Sequence, residues 1–171
     1  WVVGPFFAPF GDQPDIEPVD PLALDPSTPV VGEDGSPRAW RRAEHRLERG
    51  ADPAADLIVD LNDLLDGPHE HAMAYALCDL VAPRDMEAEL AIGSDDGPRV
   101  WLNGELIHDH HVSRGYRARQ DRVAISLCAG RNRLVVRIGQ ELQGWAFSAH
   151  VVDAEDRPIP GIRAELGPGE A

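Results

Sequence analysis

Lysine is missing altogether: all sixteen basic residues are arginine, set against thirty acidic ones. The formal charge of -14 argues against a nucleic-acid backbone or an anionic membrane surface as partner. No apolar run approaches the roughly 20 residues of a membrane-spanning helix, so membrane insertion is not expected. Cysteine is scarce. Cys78 and Cys128 lack zinc-finger spacing, which leaves two readings: small buried hydrophobes, or one disulfide. Strand–helix alternation is missing too, against a parallel α/β sheet, and no internal repeat is visible. There is no Gly-x-Ser-x-Gly elbow, no phosphate loop and no His-Glu-x-x-His pair, so no catalytic set is expected.

What the sequence has in quantity is period-two alternation. In Met86–Ile92, Ala88, Leu90 and Ile92 fall on one side and Glu87 and Glu89 on the other, as in a half-buried strand. Ser94-Asp95-Asp96-Gly97 follows as a turn, its side chains suited to local backbone hydrogen bonds and its glycine to positive φ. Arg99–Leu102 is a short strand, Asn103-Gly104 a two-residue hairpin turn, and Glu105–Ile107 the returning strand.

Elsewhere the pattern is uneven. Trp1–Phe10 predicts a short strand, and residues 11–37 an irregular Pro- and acid-rich loop, either ordered and wrapping the body or partly mobile. A strand is expected at 40–47, a turn at 50–55, a strand at 57–61 and one helical turn at 62–66. Ala72–Val81 reads as a long strand, and 108–121 as a polar connection. Val123, Ile125 and Leu127 face in. Gly130-Arg131-Asn132 turns, after which Leu134, Val136 and Ile138 face in and Arg133 and Arg137 face out. Trp145, Phe147, Ala149 and Val151 face in again, and 159–166 is a terminal strand or tail. Short strands at spacings of about 8–12 residues indicate a single all-β sandwich or barrel over residues 1–171.

Gly93-Ser94-Asp95-Asp96-Gly97 with Val100-Trp101-Leu102-Asn103-Gly104 resembles the core of a jelly-roll accessory module. Such modules recur in large secreted bacterial glycoside hydrolases, polysaccharide lyases and related multidomain proteins. More distantly, it is similar to the protective-antigen type of carbohydrate-binding domain and to galactose-binding-like sandwiches. The likeness continues in Gln120–Val123, Leu127–Leu134, Gly144–Ser148 and Trp1–Phe6. It implies an antiparallel jelly-roll β-sandwich acting as a non-catalytic accessory domain. Carbohydrate binding is the implied role; structural packing against a catalytic partner domain is the alternative. The chain opens on Trp1, which reads as a mature product or an excised segment. A monomeric module of a larger extracellular or periplasmic protein is expected.

The candidate site residues follow. In the protective-antigen type, paired aspartates at such a turn hold calcium, and Asp95 and Asp96 match that pair, with Asn103 a conceivable third ligand. The same aspartates can simply shape the turn. Arg114 and Asp121 either brace the loop onto the sheet or line a shallow sugar site. Trp101 and Tyr116 are candidates to stack on a pyranose ring if exposed, though burial is the commoner fate of a tryptophan. His108-Asp109-His110-His111 has the look of a metal tract, with His108 and His110 on one face if extended. It is expected to be a solvated loop, as are His69 and His71.

Overall fold

The long apolar strand β5 (Ala72–Ala82) pairs antiparallel with β10 (Gly130–Gln140), from Ala82–Gly130 to Ala72–Gln140. The computed structural model describes residues 1–43 and 57–166. Around this pair a sheet runs in the order β1 (Val2–Phe7), β5, β10, β7 (Pro98–Leu102), β8 (Glu105–Asp109), all antiparallel. A short strand, β12 (Arg163–Glu165), joins β5 on the edge that β1 also uses. The second sheet runs β4 (Val59–Asp60), β11 (Ala146–Val152), β6 (Met86–Asp95), β9 (Asp121–Leu127). The two sheets pack as an antiparallel β-sandwich. A separate ribbon joins β2 (Val30–Val31) to β3 (Pro37–Arg38).

Alternation explains the core. Leu90, Ile92, Val123, Ile125, Leu127, Leu134, Val136, Ile138, Trp145 and Phe147 are all buried in one cluster between the sheets. At roughly 25 cal/mol per Å² of apolar surface, each large side chain adds about 1.5–3 kcal/mol. The expected single helical turn is α1, Leu61–Leu64, whose N-cap Asp60 accepts the Asp63 N–H at 3.0 Å. Asn103 (φ 51°) and Gly104 (φ 86°) close the β7–β8 hairpin with positive φ at both positions.

Three expectations need correction. The turn placed at Gly130–Asn132 comes earlier: Gly130, Arg131 and Asn132 already pair with Ala82, Val81 and Leu80. Arg137 is buried, because the outer face of the first sheet is covered as well. There Val3, Phe6, Tyr75, Leu77, Trp101 and Val135 form a second cluster with Leu24, against which Val19, Val30 and Trp40 pack. The irregular segment at 11–37 wraps this face, as expected, and Gln13 fastens it by donating to the carbonyls of Ala8, Ala72 and Gln140 at 3.1–3.2 Å. Third, of the two readings of the cysteines the disulfide fails, since Cys78 and Cys128 are free thiols, and the buried-hydrophobe reading fails at Cys128. Cys78 is half-buried against the core, where burial pushes its thiol up to about 11, and Cys128 is exposed. Of the strand expected at 40–47, Arg41 bridges Val2; the remainder beyond 43 and the turn at 50–55 lie outside the described residues. Among the described residues, no helix is long and apolar enough to cross a membrane.

Candidate functional site

The turn between β6 and β7 is where the loop at 110–120 docks. Two glycines make room for it. A Cβ on Gly93 would meet the Arg117 carbonyl at 2.5 Å, and one on Gly97 would meet the His110 carbonyl at 2.0 Å. Close backbone approach, rather than positive φ, is therefore what requires Gly97.

Between these glycines, Ser94 and Asp96 hold the loop. Arg114 donates to Ser94 Oγ at 2.7 Å and to the Ser94 carbonyl at 3.3 Å. The Ser94 N–H donates to Gln120 Oε1 at 3.0 Å, while Gln120 Nε2 donates to the Gly115 carbonyl at 3.0 Å. Asp96 is 3% exposed and accepts two distant backbone N–H groups, Arg114 on Oδ1 and Glu141 on Oδ2, each at 2.7 Å. It shapes the site by pinning other segments, not by bonding its own turn. Burial raises the Asp96 pKa, and the two N–H donors oppose the rise. Asp95 is pushed up to about 6, first by burial and then by the Asp96 charge, against the opposing backbone N–H of Tyr116.

Arg114 also reaches Asp121 Oδ2 at 2.5 Å, a contact that braces the loop onto the first residue of β9. Asp121 pairs with buried Ile92 and shares its side of β9 with Val123, Ile125 and Leu127, so its carboxylate points between the sheets. Burial works to raise its pKa, but hydrogen bonds from Arg114 and His110 outweigh it and leave the carboxyl below the usual range. His110 Nδ1 lies 3.0 Å from Asp121 Oδ1 and His108 Nε2 lies 3.7 Å from Oδ2. The tract expected to be a solvated loop is solvated at Asp109, His110 and His111, which are exposed, but His108 and Asp109 belong to β8, and half-buried His108 converges with His110 on Asp121. Tyr116 is half-buried over Gly93, its hydroxyl 2.8 Å from Ser148 Oγ.

Asp95, Asp96, Arg114, Tyr116 and Asp121 therefore do come together. Two proposed partners do not. Asn103 stands at the opposite end of β7 from Asp96, with the five residues of that strand, about 16 Å at 3.3 Å per residue, between them. Its side chain donates to Asn132 Oδ1 and accepts the Arg133 N–H, both at 2.9 Å, so it is no third ligand for a cation at the aspartates. Trp101 is 7% exposed on the outer face of the first sheet, beneath the wrapping segment, and presents no ring to a sugar. Among the described residues, the only group of three or more potential metal-ligating side chains is His108, His110 and Asp121, which excludes the aspartate pair.

One surface went unnoticed in the sequence. Phe7, Ala8, Pro9, Glu70 and His71 line a shallow, mainly apolar depression of about 470 Å³. Phe7 is 61% exposed there and meets the His69 ring edge-on, with centroids 5.8 Å apart. The signal was present: in β1, Phe6 points to the second cluster, so Phe7 has to face the other way. Compared with known proteins, the chain matches no family model and no curated sequence.

Proposed function

We propose that the chain is a non-catalytic accessory β-sandwich of jelly-roll, galactose-binding-like type, part of a larger exported protein, and that it binds carbohydrate. The observation that carries this reading is Phe7, an exposed aromatic ring lining an open, shallow depression together with Glu70 and His71. Sugar rings have an apolar face that packs on an aromatic ring, and hydroxyls around their edge that need a few polar partners. The depression offers both. The polar groups of the loop at 110–120 support the reading less well, because Arg114, Asp121 and Asp96 already satisfy one another and the backbone. An open site that buries little of its ligand gives modest affinity.

Titration of the protein with a panel of neutral and acidic glycans tests the proposal. Binding should occur in the high micromolar to millimolar range and weaken at least about fivefold in Phe7→Ala, as loss of a stacked ring costs on the order of 1 kcal/mol. Binding unchanged in Phe7→Ala places the glycan elsewhere. Absence of binding across the panel favours the second reading, a domain that packs against a catalytic partner. That reading draws on the exposed apolar side chains Leu22, Val31, Ile58, Leu106 and Leu142.

A further inference from the structure

We infer that His108, His110 and Asp121 form a binding site for a divalent first-row transition ion, zinc foremost. One ligand atom from each of the three lies within 4.8 Å of the other two. Two imidazoles and one carboxylate are a donor set suited to zinc, which binds nitrogen and oxygen at about 2.0–2.2 Å. In a tetrahedral shell of that size, ligand atoms stand roughly 3.3 Å apart. His110 Nδ1 lies 3.0 Å from Asp121 Oδ1, close to that value, and His108 Nε2 lies 3.7 Å from the other oxygen of the same carboxylate, Oδ2. With all three ligand atoms within 4.8 Å of one another, the shell closes by side-chain movement alone.

A second, independent observation points the same way. His108 Nε2 is buried and makes no hydrogen bond. A buried polar atom without a partner is uncommon, and an unmet ion is one explanation for it. Its ring lies nearly perpendicular to that of His110, with centroids 6.0 Å apart, so two imidazole edges approach one carboxylate from different directions.

The surroundings are those of a supported site. Arg114 holds Asp121 Oδ2, which fixes the orientation of the carboxylate while leaving Oδ1 to the ion. On binding, the ion takes the place of the hydrogen bond between His110 Nδ1 and Oδ1, and the neutral imidazole carries its one proton on Nε2. His108 comes from the edge strand of one sheet and Asp121 from the edge strand of the other. An ion here would clip the open side of the sandwich. The His110 side chain is 46% exposed, so a fourth position faces solvent and takes water or a donor atom from a ligand. The overall charge of -14 favours a cation. This inference stands independently of the glycan reading, since Phe7 and its neighbours take no part in it.

Titration of chelator-stripped protein with Co²⁺, followed by its visible absorption, and competition of Zn²⁺ against a chromophoric chelator form the test. One ion should bind per chain, with an intense tetrahedral cobalt band that zinc abolishes. Affinity should fall at least about tenfold in His110→Ala, the most exposed of the three ligands. His71→Ala and His111→Ala should bind as wild type. Asp121→Asn, which keeps the shape and removes the charge, should also weaken binding, with the circular dichroism spectrum checking the fold of each variant. No cobalt band at about 100 µM ion, a tenfold excess over typical protein, overturns the site. So does binding that His110→Ala leaves unchanged while His71→Ala or His111→Ala reduces it.

Discussion

Arg137 meets Glu17 across 120 residues of sequence, its Nη1 lying 3.2 Å from Glu17 Oε1 beneath the wrapping segment. The same guanidinium donates to the carbonyls of Ile16 at 2.8 Å and Gln13 at 3.1 Å. Glu17 in turn accepts Arg99 Nη1 at 3.0 Å and the Tyr75 hydroxyl. Burial and the Glu17 charge push the Tyr75 phenol upward, so it stays a neutral donor. One carboxylate therefore ties the segment at 11–37 to three strands of the first sheet.

Glu17→Ala should destabilise the protein by about 2 kcal/mol. Removing one partner of a buried pair costs more, but the Glu17 side chain keeps 28% of its exposure, and solvent takes up part of the loss. Urea unfolding measures it. As the comparison, Arg157→Ala breaks a pair with Asp153 at a 68% exposed side chain and should stay within about 0.5 kcal/mol of wild type.

The inner core was legible in the sequence because each strand has one wet or differently occupied face, and period two separates the faces. Leu134, Val136 and Ile138 stood out for that reason. Arg137 shares the parity of exposed residues, and nothing local tells that a distant segment covers it. The same cover hides Trp101. The docking role of Gly93 and Gly97 was half-legible: the motif was plain, but the backbone that passes over it comes from the loop at 110–120, brought there by tertiary contact alone. Asp121 carried a readable signal, since its parity matches Val123, Ile125 and Leu127 and sets a charge on an inward face. A charge in that place needs partners, and His108, His110 and Arg114 supply them.

Ile138→Ala should cost about 2–4 kcal/mol, because Ile138 is 1% exposed and its removal leaves a void between the sheets that close packing cannot refill. Thermal or urea unfolding of the variant, with an unchanged slope in denaturant, is the measurement. A loss below about 0.5 kcal/mol would show that the sheets collapse onto the gap.

At the hairpin, Gly104→Val should destabilise by about 1–2 kcal/mol, since a β-branched residue is strained at φ 86°. Gly115→Ala is the matched control. Gly115 has no positive φ, and a Cβ there meets no atom within 4 Å, so alanine should be nearly neutral. Equal effects at the two glycines would contradict the turn assignment.

Asp95 gives a pH dependence of defined sign. Its pKa is about 6 in the folded chain against 3.8 in an unperturbed one, so the folded state holds the extra proton between these values. The stability it contributes is complete below pH 3.8 and is lost as pH rises through about 6. Asp95→Asn keeps an oxygen for the Tyr116 N–H and removes the titration. The variant should be more stable than wild type at pH 7 by about 1 kcal/mol, a figure reduced for partial solvent screening, and equal to it near pH 4. Because only the difference between the two proteins is read, the opposite pH trend of Asp121 cancels. An advantage that does not shrink on acidification would place its origin elsewhere.

Asp96 decides whether the aspartate pair is a calcium site or a clasp. Both of its oxygens accept backbone N–H groups, from Arg114 and from Glu141, at 2.7 Å. A calcium ion requires those lone pairs and six to eight oxygens in all, and binding it would unpair two buried donors. The clasp predicts that millimolar calcium added to chelator-stripped protein leaves the unfolding midpoint where it is. It also predicts that Asp96→Ala loses about 2–4 kcal/mol, because each orphaned buried N–H costs about 1–3 kcal/mol and some water can reach the gap. In Asp96→Asn one oxygen survives while the amide turns a donor toward a donor, so the loss should be smaller than in Asp96→Ala but still measurable. If calcium raises the midpoint of wild type and fails to do so in Asp96→Ala, the pair coordinates the ion and the two N–H bonds give way to it.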